Sequence, residues 1–185
     1  MKKALTIIEL LIAVSLFALI LTIISTISYN SIVNYKKQQL DIKISIDNKS
    51  TLDDIITTTR QSRGIANNII INGKNFVTSQ NTIILLLPGI DSNGKFIPGI
   101  TDYAIFYQDP VESNLLIKLV SATPPSVRGS FSQIKTTNLS SINFGYDNPD
   151  PQQAKIVTIT IETSGSESGQ TRSVVDTTKV KLRNL

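Results

Sequence analysis

The chain has 185 residues, of which 41% are hydrophobic, and it carries a formal net charge of +4 at pH 7. It contains no cysteine and no histidine, which excludes disulfides, thiolate chemistry and the side chain that most often binds metals and shuttles protons. Basic and acidic residues are nearly balanced from Ile65 onward. A nucleic-acid surface requires a basic stripe or patch, so we expect no nucleic acid as the main partner.

A long apolar segment forms the N-terminal part of the chain. Residues 5–28 follow Lys2 and Lys3, and after Glu9 no charged residue occurs before Lys36. As a helix, this segment is about 36 Å long, which is enough to cross the roughly 30 Å hydrocarbon core of a bilayer. The two lysines favour a cytoplasmic N-terminus. We therefore expect a single membrane pass with the remaining chain outside the cytoplasm.

Two conventional interpretations of this segment leave features unexplained. A cleaved secretory signal peptide is disfavoured because the apolar run is too long, lacks a small-x-small cleavage site and contains Glu9. An uncleaved signal anchor fits the length and orientation but gives no reason for Glu9. A charge in apolar membrane is costly and usually functional. A lipoprotein is excluded because the chain has no cysteine to acylate.

The residues Ala4, Leu5, Thr6 and Glu9 lie between a short basic leader and an unbroken apolar run. This arrangement resembles the class III signal of type IV prepilins and pseudopilins. The resemblance implies that a prepilin peptidase cleaves between Ala4 and Leu5 and N-methylates Leu5. It further implies that subunits assemble through Leu5, Thr6 and Glu9, with the Glu9 carboxylate pairing with the Leu5 amine of a neighbouring subunit.

The same resemblance implies the partners and the location. Other pilin or pseudopilin subunits, an inner-membrane assembly platform and membrane lipid contacting residues 5–28 are the expected partners. The protein is expected in the bacterial inner membrane and then in a filament or at the cell surface. Ala4 and Leu5 replace the usual glycine and phenylalanine, which favours a minor subunit. The ending Val180-Lys181-Leu182-Arg183-Asn184 resembles larger minor pilins and J-type pseudopilins.

We expect the helix to continue beyond the membrane as an amphipathic segment over residues 29–63. Neither glycine nor proline occurs before Gly64, and Arg60 and Arg63 just before this glycine are typical of a helix C-terminus. Ser50 and Asp53 resemble a capping box, which indicates a helix restart. The apolar or small residues at helical spacing are Leu40, Ile44, Leu52, Ile55, Ile56 and Thr59.

Residues 64–185 are predicted to form an antiparallel β domain of seven or eight strands. Asn72 and Gly73 indicate a hairpin turn, and the serine-rich and glycine-rich residues 164–170 are predicted to be a flexible loop. The predicted strands cover residues 68–71, 76–78, 82–87, 103–107, 115–120, 142–146, 155–162 and 173–182. The fold class is therefore α+β, with a long N-terminal helix, transmembrane in its first half, packed on an antiparallel sheet. The resemblance implies a pilin-like domain with residues 1–4 as a leader.

The predicted function is that of a structural subunit of a type IV pilus or a type II secretion pseudopilus. We expect no catalytic residue, cofactor or bound metal. Asp91, Asn93 and Gly94 match the first half of a calcium loop, but the later acidic ligands are missing, so a β-turn is favoured. Two alternatives remain: a signal-anchored periplasmic or surface binding domain, and a membrane-tethered enzyme that uses carboxylates.

Overall fold

The computed structural model describes residues 7–167 and 169–183, and it confirms the α+β class. One long helix precedes three antiparallel sheets. Residues up to Leu40 form one compact unit and residues from Asp41 form another. The elements are α1 (Ile7–Gln61), β1 (Gly64–Ile65), β2 (Asn68–Ile71), β3 (Lys74–Val77), β4 (Thr82–Ile90), β5 (Phe96–Gln108), β6 (Leu116–Ser121), β7 (Phe131–Thr136), β8 (Leu139–Tyr146), a 3-10 helix (Pro151–Gln153), β9 (Ile156–Glu167) and β10 (Gln170–Lys181).

Helix α1 is continuous, so the predicted restart near Ser50 is wrong. Thr51 is buried, and its hydroxyl donates to the carbonyl of Lys135 on β7 at 3.4 Å instead of capping a new helix. The helix ends at Gln61, close to the predicted C-terminus. Every residue of the predicted apolar row is buried, except Ile56, which is partly buried. Helical spacing thus identified the buried face correctly.

The main core of the second unit lies between α1 and two of the sheets. Leu52 and Ile55 of the helix share one apolar cluster with Phe106 of the five-stranded sheet and Phe144 of the three-stranded sheet. The five-stranded sheet has the order β1-β4-β5-β6-β7, and the three-stranded sheet has the order β10-β9-β8. The helix is therefore packed on antiparallel sheet, as predicted, although the strands are divided among three sheets.

A second, smaller core covers the other face of the five-stranded sheet. The β2–β3 hairpin places Phe76 against Ile84 of β4 and Ile105 of β5. Its turn residues Asn72 and Gly73 have φ angles of 51° and 78°, as expected for a two-residue hairpin loop in which both central residues are left-handed. The hairpin prediction is confirmed, and β4 and β5 are buried on both faces.

Strand β4 extends beyond its predicted end at Leu87. It continues through Pro88 and Gly89, with Pro88 opposite Thr101 of β5. Glycine at position 89 allows β4 to pass close to Ile100 of β5, because a Cβ atom at this position would lie 2.5 Å from Cγ2 of Ile100. Proline and glycine usually interrupt strands, which is why the sequence pattern gave a strand end here.

Two further differences concern polar strands. Strand β7, at one edge of its sheet, was not predicted because its side chains lack clean apolar alternation; Ile134, for example, is exposed. The predicted flexible loop over residues 164–170 is wrong for residues 164–167 and for Gln170, which lie in β9 and β10. Backbone pairing between these strands, as in Glu167 with Gln170, keeps these residues in the sheet. Their composition alone is typical of a loop.

Candidate functional site

The first half of α1 presents apolar side chains on all of its faces. From Ile7 to Ile27 its large hydrophobic side chains are exposed, as in Phe17 at 62%. Among the described residues, α1 is the one helix that is long and apolar enough to cross a membrane, and its most apolar window is not buried within the protein. The length and composition are those of a membrane anchor that precedes a folded domain.

Three hydroxyl groups of this segment donate to carbonyls within the helix. Ser15 donates to the carbonyl of Leu11 at 2.8 Å, and Thr22 donates to the carbonyl of Ala18 at 2.9 Å. Thr26 makes the corresponding bond to the carbonyl of Thr22. Because each hydroxyl has an acceptor four residues earlier, these side chains need no water and are compatible with an apolar environment.

Glu9 is the single charged side chain between Ile7 and Tyr35, and it lies in the first turn of α1. The unpaired N–H groups and the positive end of the helix dipole favour a negative charge at this position. Ala4, Leu5 and Thr6, the other predicted processing and assembly residues, lie outside the described residues. The contact between Glu9 and the Leu5 amine of a neighbouring subunit stays a prediction.

The second unit contains an ionic cluster that joins α1 to β6 and β7. Asp54 contacts the Nζ atoms of Lys118 at 2.7 Å and Lys135 at 2.8 Å, and Lys118 also donates to Thr58. Partial burial raises the pKa of Asp54, but the hydrogen bonds and charges of the two lysines outweigh it and lower the pKa. The cluster stabilises the packing of the helix against the sheet.

A buried carboxylate fixes the loop between β6 and β7. Asp102 on β5 is fully buried and accepts hydrogen bonds from Nε of Arg128 at 2.9 Å, from the Ser126 hydroxyl at 2.7 Å and from the Thr123 N–H at 2.9 Å. Arg128 also donates to the carbonyl of Pro88. Sequence reasoning missed both ionic clusters because their partners are far apart along the chain.

An open groove of about 560 Å³ lies beside the ends of β3 and β8. Tyr146 donates its hydroxyl to the carbonyl of Ser79, and burial raises its pKa, so that it stays protonated at neutral pH. Backbone hydrogen bonds from Ile156 and Lys155 lower the pKa of Asp147, and the Lys155 N–H is 2.9 Å from its carboxylate. The groove thus offers hydrogen-bonding groups rather than a pair poised to exchange protons.

Asp91 forms a turn, as favoured by the sequence. Its Oδ1 atom accepts N–H groups from Asn93 at 2.9 Å and Lys95 at 2.8 Å, and its carbonyl accepts the Gly94 N–H. Within residues 7–167 and 169–183, no group of three or more acidic side chains is placed to hold a metal ion. The Asp91 side chain thus closes a β-turn through backbone N–H groups.

Comparison with known proteins gives no relative from which a role can be transferred: no family model, no curated protein and no solved structure matches this chain. The features that bear on function are therefore the N-terminal residues and the physical properties of α1.

Proposed function

We propose that this protein is a type IV pilin-like subunit, a minor pilin or pseudopilin, that is stored in the bacterial inner membrane and assembled into a filament. The observation that carries the proposal is the position of Glu9. It is the single charged side chain between Ile7 and Tyr35, and it lies in the first turn of a helix whose first half is mostly apolar and exposed. Ala4 and Leu5, before it, resemble the cleavage and methylation site of prepilins.

The chemistry of a carboxylate at Glu9 suits a contact between subunits. A carboxylate in a membrane or in a bundle of apolar helices is expensive unless a positive group lies beside it. Cleavage after Ala4 creates an amine at Leu5, and a neighbouring helix in the correct register brings this amine to the carboxylate. The pair then selects the register of assembly rather than adding much stability, as buried ionic groups do in some other helical assemblies.

Substitution of Glu9 in the native host tests the proposal. Glu9→Gln and Glu9→Ala are expected to abolish incorporation into filaments while the protein still accumulates in the membrane. Ser15→Ala is the matched control, because it removes a polar group from the same apolar segment whose hydroxyl is already bonded to Leu11. Filament incorporation is measured by shearing and immunoblotting of the filament fraction. Normal incorporation of both Glu9 variants would contradict the proposal.

Mass spectrometry of the N-terminus provides an independent test of processing. The mature protein is expected to begin at a methylated Leu5, and replacement of Ala4 by a bulky residue such as leucine is expected to block cleavage. A mature chain that retains residues 1–4 in a host with an active prepilin peptidase would count against membership of this class.

The alternative function is a binding domain held by an uncleaved anchor. It is favoured by the core of the second unit, whose members are buried within that unit without a neighbouring subunit. This alternative predicts an intact N-terminus and a function that Glu9 substitution leaves unchanged. The filament proposal predicts cleavage of the N-terminus and loss of assembly on Glu9 substitution. The two tests together separate the two functions.

A further inference from the structure

The character of α1 changes after Ile27. From Ile7 to Ile27 the helix rises about 30 Å, which matches the hydrocarbon thickness of a bilayer. Two tyrosines follow, Tyr29 and Tyr35, and then two lysines, Lys36 and Lys37. The intervening residues are mostly small or polar. This order, in which an apolar span is followed by aromatic and then basic residues, is typical of a helix leaving a membrane.

The side chains in this stretch are available to their surroundings. Tyr29 and Tyr35 are 68% and 61% exposed, Lys36 is exposed and Lys37 is partly exposed. The Nε2 atom of Gln39 donates to the hydroxyl of Tyr35 at 2.9 Å. This bond gives the polar tip of Tyr35 a partner, while the exposed ring can contact apolar surface, as tyrosine does at membrane interfaces.

Helix geometry directs the lysines back toward the membrane. Side chains in an α-helix tilt toward its N-terminus, and long lysine side chains reach along apolar surface to place the ammonium in a polar layer. Lys36 lies seven residues after Tyr29, about two turns, so both occupy nearly the same face. No acidic residue occurs between Glu9 and Asp41. Asp41, the first carboxylate after the lysines, lies 3.7 Å from Nε of Arg172.

We infer that Tyr29, Tyr35, Lys36 and Lys37 form an interfacial belt that binds the phosphate groups of anionic lipids where the helix leaves the bilayer. The inference depends on the membrane insertion contained in the proposed function, but not on filament assembly. The tyrosines set the depth of the helix, and the lysines select anionic over zwitterionic headgroups. The belt extends the lipid contact beyond residues 5–28.

Lipid selectivity is the direct test of the two lysines. The full chain is reconstituted in vesicles of phosphatidylcholine with and without phosphatidylglycerol, and its preference for spin-labelled phosphatidylglycerol is measured. Each lysine near an anionic surface contributes up to about a five-fold preference. The double substitution Lys36→Gln with Lys37→Gln is therefore expected to remove most of the selectivity. High salt is expected to weaken the selectivity of the unaltered protein.

A charge-matched control separates local binding from net charge. Lys43→Gln with Lys49→Gln removes the same two charges from exposed positions later in α1, and it is expected to leave most of the selectivity in place. Equal losses in the two double variants would overturn the inference, because the effect would then come from overall charge. Retention of full selectivity by the Lys36 and Lys37 variant would also overturn it.

The absence of cysteine from the chain permits a depth measurement at single introduced sites. A spin label at Ser31→Cys is expected in the headgroup layer, and a label at Gln38→Cys is expected in water. Substitution of Tyr29 and Tyr35 by leucine is expected to draw the Ser31 label deeper. Equal water exposure of both labels, or an unchanged depth in the tyrosine variant, would overturn the role given to the tyrosines.

The outcomes distinguish this inference from the proposed function. If Glu9 substitution leaves filaments intact while Lys36 and Lys37 control lipid selectivity, the belt stands and the anchor alternative is favoured. If Glu9 substitution abolishes filaments while substitution of Lys36 and Lys37 leaves lipid selectivity unchanged, the filament proposal stands and the belt is rejected.

Discussion

The two units of the chain use similar apolar residues in opposite ways. Phe17 in the first unit is 62% exposed, whereas Phe106 in the second is fully buried between α1 and two sheets. Exposed apolar surface of this extent in the first unit marks a membrane or protein interaction site. The second unit buries a large apolar core within itself. The comparison shows that hydrophobicity along the sequence identifies the segments that avoid water. The topology of the fold determines whether these segments are buried within the chain itself or need a membrane or another protein.

The largest expected difference between the units is in the response to removal of a phenylalanine ring. Phe106→Ala is expected to lower the free energy of unfolding of the β domain by about 4 kcal/mol, because it empties a site filled from all sides. Phe17→Ala is the matched control and is expected to leave the stability of the domain unchanged within about 0.5 kcal/mol. Urea unfolding of both variants in the same detergent measures the difference. Equal losses would show that the two units do not differ as described.

The next largest effect is expected at the buried carboxylate. Asp102→Ala is expected to cost about 3 kcal/mol, because it removes the carboxylate that pairs with Nε of Arg128. Asp102→Asn retains the shape and some hydrogen bonds and is expected to cost less. Hydrogen exchange should show faster opening of the loop that contains Thr123 and Ser126. A neutral effect of Asp102→Ala would mean that the loop is held by other contacts.

The extent to which the sequence predicted this structure follows from the range of the interactions involved. Helical spacing identified Ile44 and Ile55 as buried, and Asn72 with Gly73 identified a turn, because such patterns are local. Strand β7 was not predicted, since its pairing with β6 supplies what its own side chains do not indicate. The membrane-like character of α1 was predictable from composition, whereas the ionic partners of Asp54, on β6 and β7, depend on the tertiary fold.

The Asp54 cluster is expected to make the second unit sensitive to acid. Because its folded pKa is lowered, the carboxylate contributes stability above its unfolded pKa, and this contribution is lost as the pH falls through the folded value. Asp54→Asn is expected to cost about 2 kcal/mol at pH 7, less than a fully buried pair, because Asp54 is 24% exposed. Urea unfolding from pH 7 to pH 3 should show the difference between the two proteins shrinking below about pH 4. A constant difference would contradict this role.

Other carboxylates will retain part of the acid sensitivity in this variant. The pKa of Asp109 is lowered by hydrogen bonds from the N–H groups of Glu112 and Val111, which lie 3.0 and 2.8 Å from Oδ1. Like Asp54, Asp109 contributes stability that is lost as the pH falls through its folded pKa. The comparison between unaltered protein and Asp54→Asn is therefore the informative quantity, rather than the acid midpoint of either protein alone.

The smallest effects on stability are expected from the removal of threonine hydroxyls. Comparing one threonine in each unit keeps the residue type the same. Thr136 is buried, donates to the Asp47 carboxylate and accepts the Asn138 N–H. Thr136→Val is therefore expected to cost about 1.5 kcal/mol in urea unfolding. Thr22→Val removes a hydroxyl bonded to the carbonyl of Ala18, which the helix backbone also bonds. It is expected to change domain stability by less than about 0.5 kcal/mol and to leave membrane insertion intact or improved. A measurable loss of insertion on Thr22→Val would mean that this face of α1 contacts a polar partner instead of lipid.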